Sequence, residues 1–128
     1  MKTTFLTAAF VCVAGAAFAN PSTFQQTCSN IEFAYLGNDA GITATCLRTN
    51  GTPNATSATI NGVGNNNGTL TQGSGASTFQ QSCGNIDIQI TGTAGVFVTA
   101  LCRDDNGNSQ STSIEVIGLG NNDGTLSY

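Results

Sequence analysis

The segment STFQQTC, from Ser22 to Cys28, returns almost unchanged as STFQQSC, from Ser77 to Cys83. The segment GNNNGTL, from Gly64 to Leu70, returns as GNNDGTL, from Gly120 to Leu126. In each pair only one position differs, and the order of the two segments along the chain is the same. The chain therefore contains two copies of one unit.

The copies span residues 22–71 and 77–127, and residues 72–76, QGSGA, have the composition of a flexible linker. Repeat arrays need at least three units to bury a continuous core, so two copies favour a closed pseudo-dimer. A unit of about 50 residues buries too little apolar surface to be stable alone. We therefore expect one domain, residues 20–128, in which the two copies share a core.

Within each copy the apolar residues recur every second position, which predicts β-strands. Strands are also expected around residues 31–35 and 86–90, and around residues 56–60 and 113–117. Four phenylalanines are expected to contribute to the core. The alternating residues are Ile42, Ala44 and Cys46 against Thr43, Thr45 and Leu47, and Val96, Val98, Ala100 and Cys102 against Phe97, Thr99 and Leu101; the core phenylalanines are Phe24, Phe33, Phe79 and Phe97.

Four turn signals divide these strands. The pairs Asn50-Gly51 and Asn106-Gly107 predict hairpin turns between the second and third strands, because Asn-Gly tolerates the positive φ of type I′ turns. Asn67-Gly68 and Asp123-Gly124 predict a second, shorter hairpin in each copy. The predicted fold class is all-β.

Composition and charge exclude several classes of function. The chain has no histidine, so it cannot carry a histidine-based catalytic relay or an imidazole metal site. Only 8% of its residues are charged, and the net charge of −4 gives no basic surface for nucleic acid. About half of the chain is Gly, Asn, Gln, Ser and Thr, which is typical of short strands and frequent turns.

Residues 1–19 are predicted to be a secretory signal peptide. Lys2 precedes an apolar run that ends in Ala17-Phe18-Ala19, a typical cleavage sequence. The alternative is a membrane anchor, but the run is shorter than the roughly 20 residues that a spanning helix needs. Removal of Lys2 leaves two basic and seven acidic residues, a net charge of −5. We therefore expect a secreted, extracellular protein without membrane insertion.

Four cysteines remain in the mature chain, and an even number in a small secreted domain indicates disulfides. They allow three pairings, of which the repeat symmetry favours Cys28 with Cys46 and Cys83 with Cys102. A structural metal site is the alternative. It is disfavoured, because the chain has neither a C-x-x-C spacing nor a histidine.

The duplicated unit resembles the cyanovirin-N homology family of lectins. The resemblance rests on the Phe24-to-Cys28 spacing, the second cysteine 18 or 19 residues later, the Asn-Gly turn and the closing hairpin ending in Gly-Thr-Leu, and it covers residues 22–128. It implies a pseudo-symmetric fold of two three-stranded sheets with exchanged β-hairpins and disulfides within each repeat. It also implies binding of mannose-rich oligosaccharides or glycoproteins, without cofactor, metal or catalysis, by a monomer or a domain-swapped dimer.

The resemblance further implies two binding sites, each built from both copies. The first site joins the opening of the first copy, the loop after its second cysteine and the closing hairpin of the second copy. The second site joins the first hairpin to the second copy. The first site comprises Thr23, Gln26, Thr27, Arg48, Thr49, Asn121, Asn122 and Asp123, and the second comprises Asn65, Asn66, Asn67, Thr78, Gln81, Ser82, Arg103, Asp104 and Asp105.

Several of these residues also have purely structural interpretations. The hairpin residues are adequate turn formers by themselves, and Gln26 and Gln81 could cap a short helical turn. Arg48 and Arg103 could pair with carboxylates such as Glu32 or Asp87 instead of a ligand.

Three other functions fit the sequence less well than a lectin. Asp104, Asn106, Asn108 and Glu115 have calcium-loop spacing, but Ser109 stands where that loop needs glycine. A glycosidase needs a carboxylic acid whose pKa is raised by an apolar pocket. The sequence predicts no such pocket around Asp104, Asp105 or Asp123. A surface-adsorbing protein that binds ice or cell wall would need regular threonine rows, and those here are short.

Three N-glycosylation sequons begin at Asn50, Asn54 and Asn67, all in the first copy. Each is an acceptor candidate in a secreted protein. A glycan on Asn67 would cover the second site, whereas the corresponding Asp123 cannot be glycosylated.

Overall fold

The computed structural model describes residues 21–91 and 95–128, so the predicted signal peptide lies outside the described residues. Within these ranges the chain forms ten strands and two short 3₁₀ turns, and no helix is long or apolar enough to cross a membrane. The 3₁₀ turns span Phe24–Gln26 and Phe79–Gln81. The strands are β1 Cys28–Leu36, β2 Asp39–Leu47, β3 Pro53–Thr59, β4 Asn61–Asn66, β5 Thr69–Ala76, β6 Cys83–Ile90, β7 Val96–Arg103, β8 Ser109–Glu115, β9 Gly120–Asn122 and β10 Thr125–Ser127.

Both copies have the same order of elements. A 3₁₀ turn leads into an antiparallel three-stranded sheet, β1-β2-β3 in the first copy and β6-β7-β8 in the second. A two-stranded hairpin follows, β4-β5 in the first copy and β9-β10 in the second. The predicted all-β, pseudo-symmetric fold is confirmed.

The central strands β2 and β7 show why the alternating pattern specifies sheets. Ile42 and Cys46 are buried, whereas Thr43 is half-exposed and Leu47 is exposed. The pattern in β7 is the same, with Val98 buried and Leu101 exposed. One face of each sheet therefore builds the core, and the other meets solvent.

The closing hairpins use two-residue turns in which both residues have positive φ. Asn67 and Gly68 have φ of 52° and 89°, and Asp123 and Gly124 have φ of 50° and 89°. This is the backbone of a type I′ turn, which matches the right-handed twist of the strands. The predicted turns are confirmed at both positions.

The turn between β2 and β3 differs from the predicted type I′ turn. Gly51 has a positive φ of 88°, but Asn50 does not. The Gly51 amide donates to the Arg48 carbonyl at 2.8 Å, and the Arg48 amide donates to the Thr52 carbonyl at 2.8 Å. The loop is therefore three residues long, a β-turn followed by a left-handed glycine. The loop after β7 has the same pattern, with Gly107 at φ 83°.

Each hairpin packs against the sheet of the other copy. The Leu70 amide donates to Thr112 Oγ1 of β8, and the Leu126 amide donates to Thr56 Oγ1 of β3, both at 3.1 Å. The hairpin of the second copy also contacts the opening of the first, because the Thr23 amide donates to the Leu119 carbonyl at 3.0 Å. The exchange of hairpins that the family resemblance implies is therefore present.

The repeated STFQQ segment anchors this exchange through its serine. Ser22 is buried, and its Oγ donates to the Val116 carbonyl at 2.7 Å and accepts the Leu119 amide at 3.0 Å. Ser77 makes the equivalent pair of hydrogen bonds in the other half, to the Ile60 carbonyl and from the Val63 amide. Each serine thus links the first residues of one copy to the segment of the other copy that connects its three-stranded sheet to its hairpin.

The two copies share one hydrophobic core. Phe24 and Phe79, from the two 3₁₀ turns, are both 0% exposed and belong to one cluster. Phe33 of the first copy packs edge-to-face against Phe79 of the second, with ring centroids 6.4 Å apart. Phe97 is only half-buried, because it lies on the outward-facing side of β7.

One disulfide joins the first two strands of each three-stranded sheet. Cys28 bonds to Cys46, and Cys83 bonds to Cys102, as the repeat symmetry predicts. In each sheet the bonded cysteines are directly opposite each other in the strand register. Each bond therefore closes the open end of a long hairpin.

Residues 72–76, whose composition predicts a flexible linker, form the second half of β5. Gln72 pairs with Val63, and Ala76 pairs with Asn61 across a bulge. The Gln72 side chain also donates to the Asn61 carbonyl at 2.9 Å. Backbone pairing with β4 thus overrides the glycine-rich composition of this segment.

Candidate functional site

The first site is organised by the side-chain amide of Asn121 at the start of the second hairpin. Its Nδ2 donates to Thr27 Oγ1 at 2.8 Å and to the Leu47 carbonyl at 2.9 Å. Its Oδ1 accepts the Gly124 amide at 2.7 Å. One side chain therefore holds the hairpin against both the opening turn and the loop after Cys46.

Asp123, at the tip of this hairpin, faces the same loop. Its Oδ1 accepts hydrogen bonds from the Thr49 amide and from Thr49 Oγ1, both at 2.9 Å. These two bonds, with a smaller contribution from the nearby Arg48 charge, hold the pKa of Asp123 below the 3.8 of a free aspartate. The site therefore contains an ionised, exposed carboxylate at neutral pH.

Arg48 stabilises the loop of the first site. Its guanidinium donates to Asn54 Oδ1 at 2.8 Å and more weakly to Thr52 Oγ1 at 3.2 Å. Asn54 in turn donates to the Gly124 carbonyl at 2.8 Å. A side chain at Gly124 would lie 2.7 Å from Arg48 Cγ, so glycine is required there on steric grounds as well as for its φ. The hypothesis that Arg48 pairs with Glu32 is wrong, because its polar partners belong to its own loop and to β3.

The second site repeats the amide arrangement with Asn65. Its Nδ2 donates to Ser82 Oγ at 2.8 Å and to the Arg103 carbonyl at 2.9 Å. Its Oδ1 accepts the Gly68 amide at 2.8 Å. Asn65 therefore performs the role of Asn121 at the other end of the molecule.

The hairpin tip and the loop of the second site carry different groups. Asn67 Oδ1 accepts only the Asp105 amide, at 2.7 Å. Asp104 turns inward to its own loop, where one carboxylate oxygen accepts the Asn106 and Asn108 amides at 2.9 Å. The spacing that suggests a calcium loop therefore serves a turn, and the described residues contain no cluster of three or more metal-ligating side chains.

The other predicted site residues lie around these two centres and leave polar groups exposed to solvent. Thr23 lies beside Gly120 at the base of the second hairpin, and Thr78 lies in the same way beside Gly64. Thr23 and Thr78 precede the two 3₁₀ turns without a side-chain capping bond, and Gln26 and Gln81 at the ends of the turns are exposed. The exposed residues are Thr23, Gln26, Asn66, Thr78, Gln81, Arg103 and Asn122.

Two residues that hold the loops were missed by the sequence analysis. Asn54 fastens the first loop to the second hairpin, and its equivalent Gln110 donates to Thr69 Oγ1 of the first hairpin at 3.3 Å. Both stand eight positions after the second cysteine of their copy, so aligning the copies could have found them.

The three sequons differ in accessibility. Asn50 and Asn67 are exposed at loop and hairpin tips. Asn54 is half-buried, and its side-chain nitrogen, to which a glycan would be attached, donates a hydrogen bond to the Gly124 carbonyl. Glycosylation is therefore sterically easier at Asn50 and Asn67.

A cleft of about 340 Å³ extends from the second site onto the outward face of the second sheet. It includes three residues of the predicted site and others that the sequence analysis did not assign. Its lining comprises Gln81, Ser82, Cys83, Gly84, Asn85, Leu101, Arg103 and Ser109.

A profile of the CVNH domain matches residues 24–127, which is most of the chain. The chain belongs to the CVNH family. No curated protein sequence matches it. Among solved structures, this CVNH chain is similar to microvirin in complex with mannobiose, with 26% identity and a TM-score of 0.61 over 83% of this chain and 97% of that one.

Two further CVNH structures show the same fold at lower identity. The CVNH protein of N. crassa is 21% identical, with a TM-score of 0.65 over 81% of this chain and 96% of that one. A variant of MoCVNH3 in complex with (N-GlcNAc)4 is 15% identical, with a TM-score of 0.64 over 84% of this chain and 97% of that one.

Proposed function

We propose that the protein is a secreted, non-catalytic lectin that binds mannose-rich oligosaccharides through the first and second sites. The observation that carries this proposal is the duplicated arrangement in which Asn121 and Asn65 fasten each hairpin to the opposite copy. This arrangement places amide, hydroxyl and carboxylate groups at two exposed centres. The CVNH family membership and the mannobiose complex of microvirin support the choice of ligand.

The chemistry of the first site suits a sugar with neighbouring hydroxyls. Each hydroxyl both donates and accepts, so it is recognised by planar groups that offer paired partners. Among the described residues, protein donors reach only Oδ1 of Asp123, which leaves Oδ2 for a ligand hydroxyl. A hydrogen bond to a charged group contributes about 1.5 to 3 kcal/mol, against about 0.5 to 1.5 for a neutral one.

Single sites of this kind bind weakly, and two on one chain gain from effective concentration. A branched oligosaccharide that reaches both sites makes the second contact intramolecular. We propose this as the source of useful affinity, for a monomer or for a domain-swapped dimer.

The alternative of an ice- or cell-wall-binding surface has less support. A regular hydroxyl row would have to continue across neighbouring strands, but Thr45 of β2 faces Ala55 of β3 in the register. The corresponding face of β7 presents Leu101. Neither sheet thus offers the repeated threonine surface that this function requires.

A glycan array followed by calorimetric titration tests the proposal. We expect binding of mannose-terminated oligosaccharides and a stoichiometry of two for mannobiose. A doubly substituted protein, Asn65→Ala with Asn121→Ala, should lose both sites. No binding of any mannoside by folded, disulfide-bonded protein would overturn the proposal. Mass spectrometry of secreted protein separately tests whether the mature chain begins at Asn20.

A further inference from the structure

The cleft beside the second site is lined by one large apolar side chain among polar groups. Leu101 is 39% exposed, although it lies in a strand whose other outward residues are mostly polar. The polar lining includes the amides of Gln81 and Asn85, the guanidinium of Arg103 and the hydroxyl of Ser109. Small-molecule sites combine an apolar surface with a few polar groups in this way.

The cleft is open because of Gly84. Gly84 lies directly opposite Leu101 in the β6-β7 register, and a Cβ at this position would have no neighbour within 4 Å. The side of Leu101 that faces β6 is therefore uncovered. Asn85, next in the chain, adopts a φ of 48° at the bulge between Gly84 and Asp87.

The first copy has different residues at the corresponding positions. Ser29 stands opposite Thr45, where the second copy has Gly84 opposite Leu101. Leu47 stands where the second copy has Arg103, so the first copy has no cation beside its hairpin at this position. The combination of exposed leucine, cation and amides at these positions therefore belongs to the second copy.

This combination suits an acetamido sugar better than a neutral hexose or an acidic sugar. A neutral hexose can offer Leu101 only the C–H groups of its ring, and it has no methyl group to fill the space beside Gly84. An acidic sugar could pair with Arg103, but Asp104 and Asp105 follow it directly and the mature chain carries a net charge of −5. An acetamido group offers both a methyl group for Leu101 and an amide for the polar groups of the cleft.

Resting on the proposed lectin function, we propose that the second site binds an N-acetylated hexosamine, with its acetamido methyl group packed against Leu101. Gly84 provides the space for this group, and Gln81, Asn85 and Arg103 supply its hydrogen-bond partners. The first site, with Thr45 at the equivalent position, has no preference of this kind. Both sites bind mannosides under the proposed function, and only the second also accepts an N-acetylated hexosamine.

Titration with di-N-acetylchitobiose tests this inference, with mannobiose as the reference ligand. Replacing Leu101 with the threonine of the first copy, Leu101→Thr, should weaken di-N-acetylchitobiose binding about tenfold and leave mannobiose binding at the first site unchanged. Gly84→Phe should block the cleft with the same selectivity. Ile90→Thr, which removes an exposed apolar residue at the other end of β6 from Gly84, is the matched control and should change the binding of neither ligand.

A ligand pair isolates the methyl group itself. The N-formyl counterpart of di-N-acetylchitobiose lacks only the two methyl groups. It should bind the native protein less tightly than di-N-acetylchitobiose does, whereas the Leu101→Thr variant should bind the two ligands with about the same affinity. An NMR contact between the acetamido methyl and the Leu101 methyls should be visible in the native complex.

The outcomes separate this inference from the proposed function. Mannobiose binding without di-N-acetylchitobiose binding, or with binding that Leu101→Thr does not change, would overturn the inference and leave the lectin proposal standing. Absence of binding to both ligands would overturn both.

Discussion

The two sites share the residue that positions the hairpin and differ in the residues that face solvent. Asn121 and Asn65 make the same three hydrogen bonds, to a hydroxyl, a carbonyl and an amide. At the hairpin tips, however, Asp123 accepts two bonds from Thr49, whereas Asn67 accepts one from Asp105. The positioning amide is therefore the same in both copies, while the residues at the hairpin tips differ.

The charged groups are also distributed in opposite ways. In the first site the acid lies on the hairpin, and the cation Arg48 is engaged by Thr52 of its own loop and by Asn54 of β3. In the second site the acids lie on the loop, and the cation Arg103 is exposed. The first site therefore exposes a carboxylate on its hairpin, and the second exposes a guanidinium on its sheet. This difference makes the two sites distinguishable by single substitutions.

The largest expected effect comes from opening one copy at its disulfide. Replacing Cys28 and Cys46 by alanine should lower the free energy of unfolding by about 3 kcal/mol, because the closed loop no longer restricts the unfolded chain. Replacing Cys83 and Cys102 should have nearly the same effect, since their sequence separations are 18 and 19. A domain of this size has only about 5 to 15 kcal/mol of stability.

Urea unfolding of the two double variants measures both effects. The native protein under reducing conditions is the control in which both bonds are broken. Equal losses are expected because the two closed loops have nearly equal lengths, and a clear inequality would contradict the symmetry argued above.

The next effect concerns the positioning amides. Asn121→Ala removes three hydrogen bonds and should lower the free energy of unfolding by about 2 kcal/mol, with loss of ligand binding at the first site only. Asn65→Ala should do the same at the second site. The exposed neighbours Asn122→Ala and Asn66→Ala are matched controls with an expected loss below about 0.5 kcal/mol. Hydrogen exchange of the hairpin amides would locate the change, and a variant that affects both sites equally would refute the assignment.

A smaller effect follows from exchanging the hairpin-tip residues. Asp123→Asn should weaken mannobiose binding at the first site by about 1 kcal/mol, roughly fivefold, because a neutral acceptor replaces a charged one. Asn67→Asp should strengthen mannobiose binding at the second site by a smaller amount, because the new carboxylate would be next to the like-charged Asp105. Calorimetry resolves the two sites if each variant changes only one of them, and an unchanged affinity in Asp123→Asn would place the first site elsewhere.

Asparagine is the better replacement at Asp123 because of the backbone. Asp123 has a φ of 50°, so the turn depends on this residue as well as on Gly124. Alanine there should weaken binding by about 1.5 to 3 kcal/mol and also strain the turn by about 1 kcal/mol. The two effects would then be confounded.

Much of the fold was predictable from the sequence, because it is specified by local patterns that occur twice. The alternation around Ile42 and Val98 predicted the central strands, and the cysteine positions predicted the disulfide pairing. The turn after β2 was assigned the wrong type, since Asn-Gly occurs in several turns and the loop length is fixed by the pairing of Arg48 with Thr52.

The site was predictable only as far as the repeats and the family resemblance extend. The role of Asn54 depends on a hydrogen bond to Gly124, 70 residues away, which no local pattern reveals. The cleft over Leu101 depends on Gly84 lying opposite it across two strands. Residues 72–76 illustrate the reverse case, in which composition suggested a linker and pairing with β4 made a strand.

The smallest effect tests how the first site keeps its carboxylate ionised. The Thr49 hydrogen bonds lower the pKa of Asp123 in the folded protein, so its contribution to stability and binding is present above pH 3.8 and is lost as the pH falls through the lower folded value. Thr49→Val removes the hydroxyl donor and retains the amide donor, which should raise the pKa only part of the way back. NMR titration of the Asp123 carboxyl carbon measures the shift. The second site is the internal control, because Asn67 does not titrate at its hairpin tip. If Thr49→Val left the Asp123 titration unchanged, the Thr49 hydroxyl would have no part in holding the ligand-facing charge.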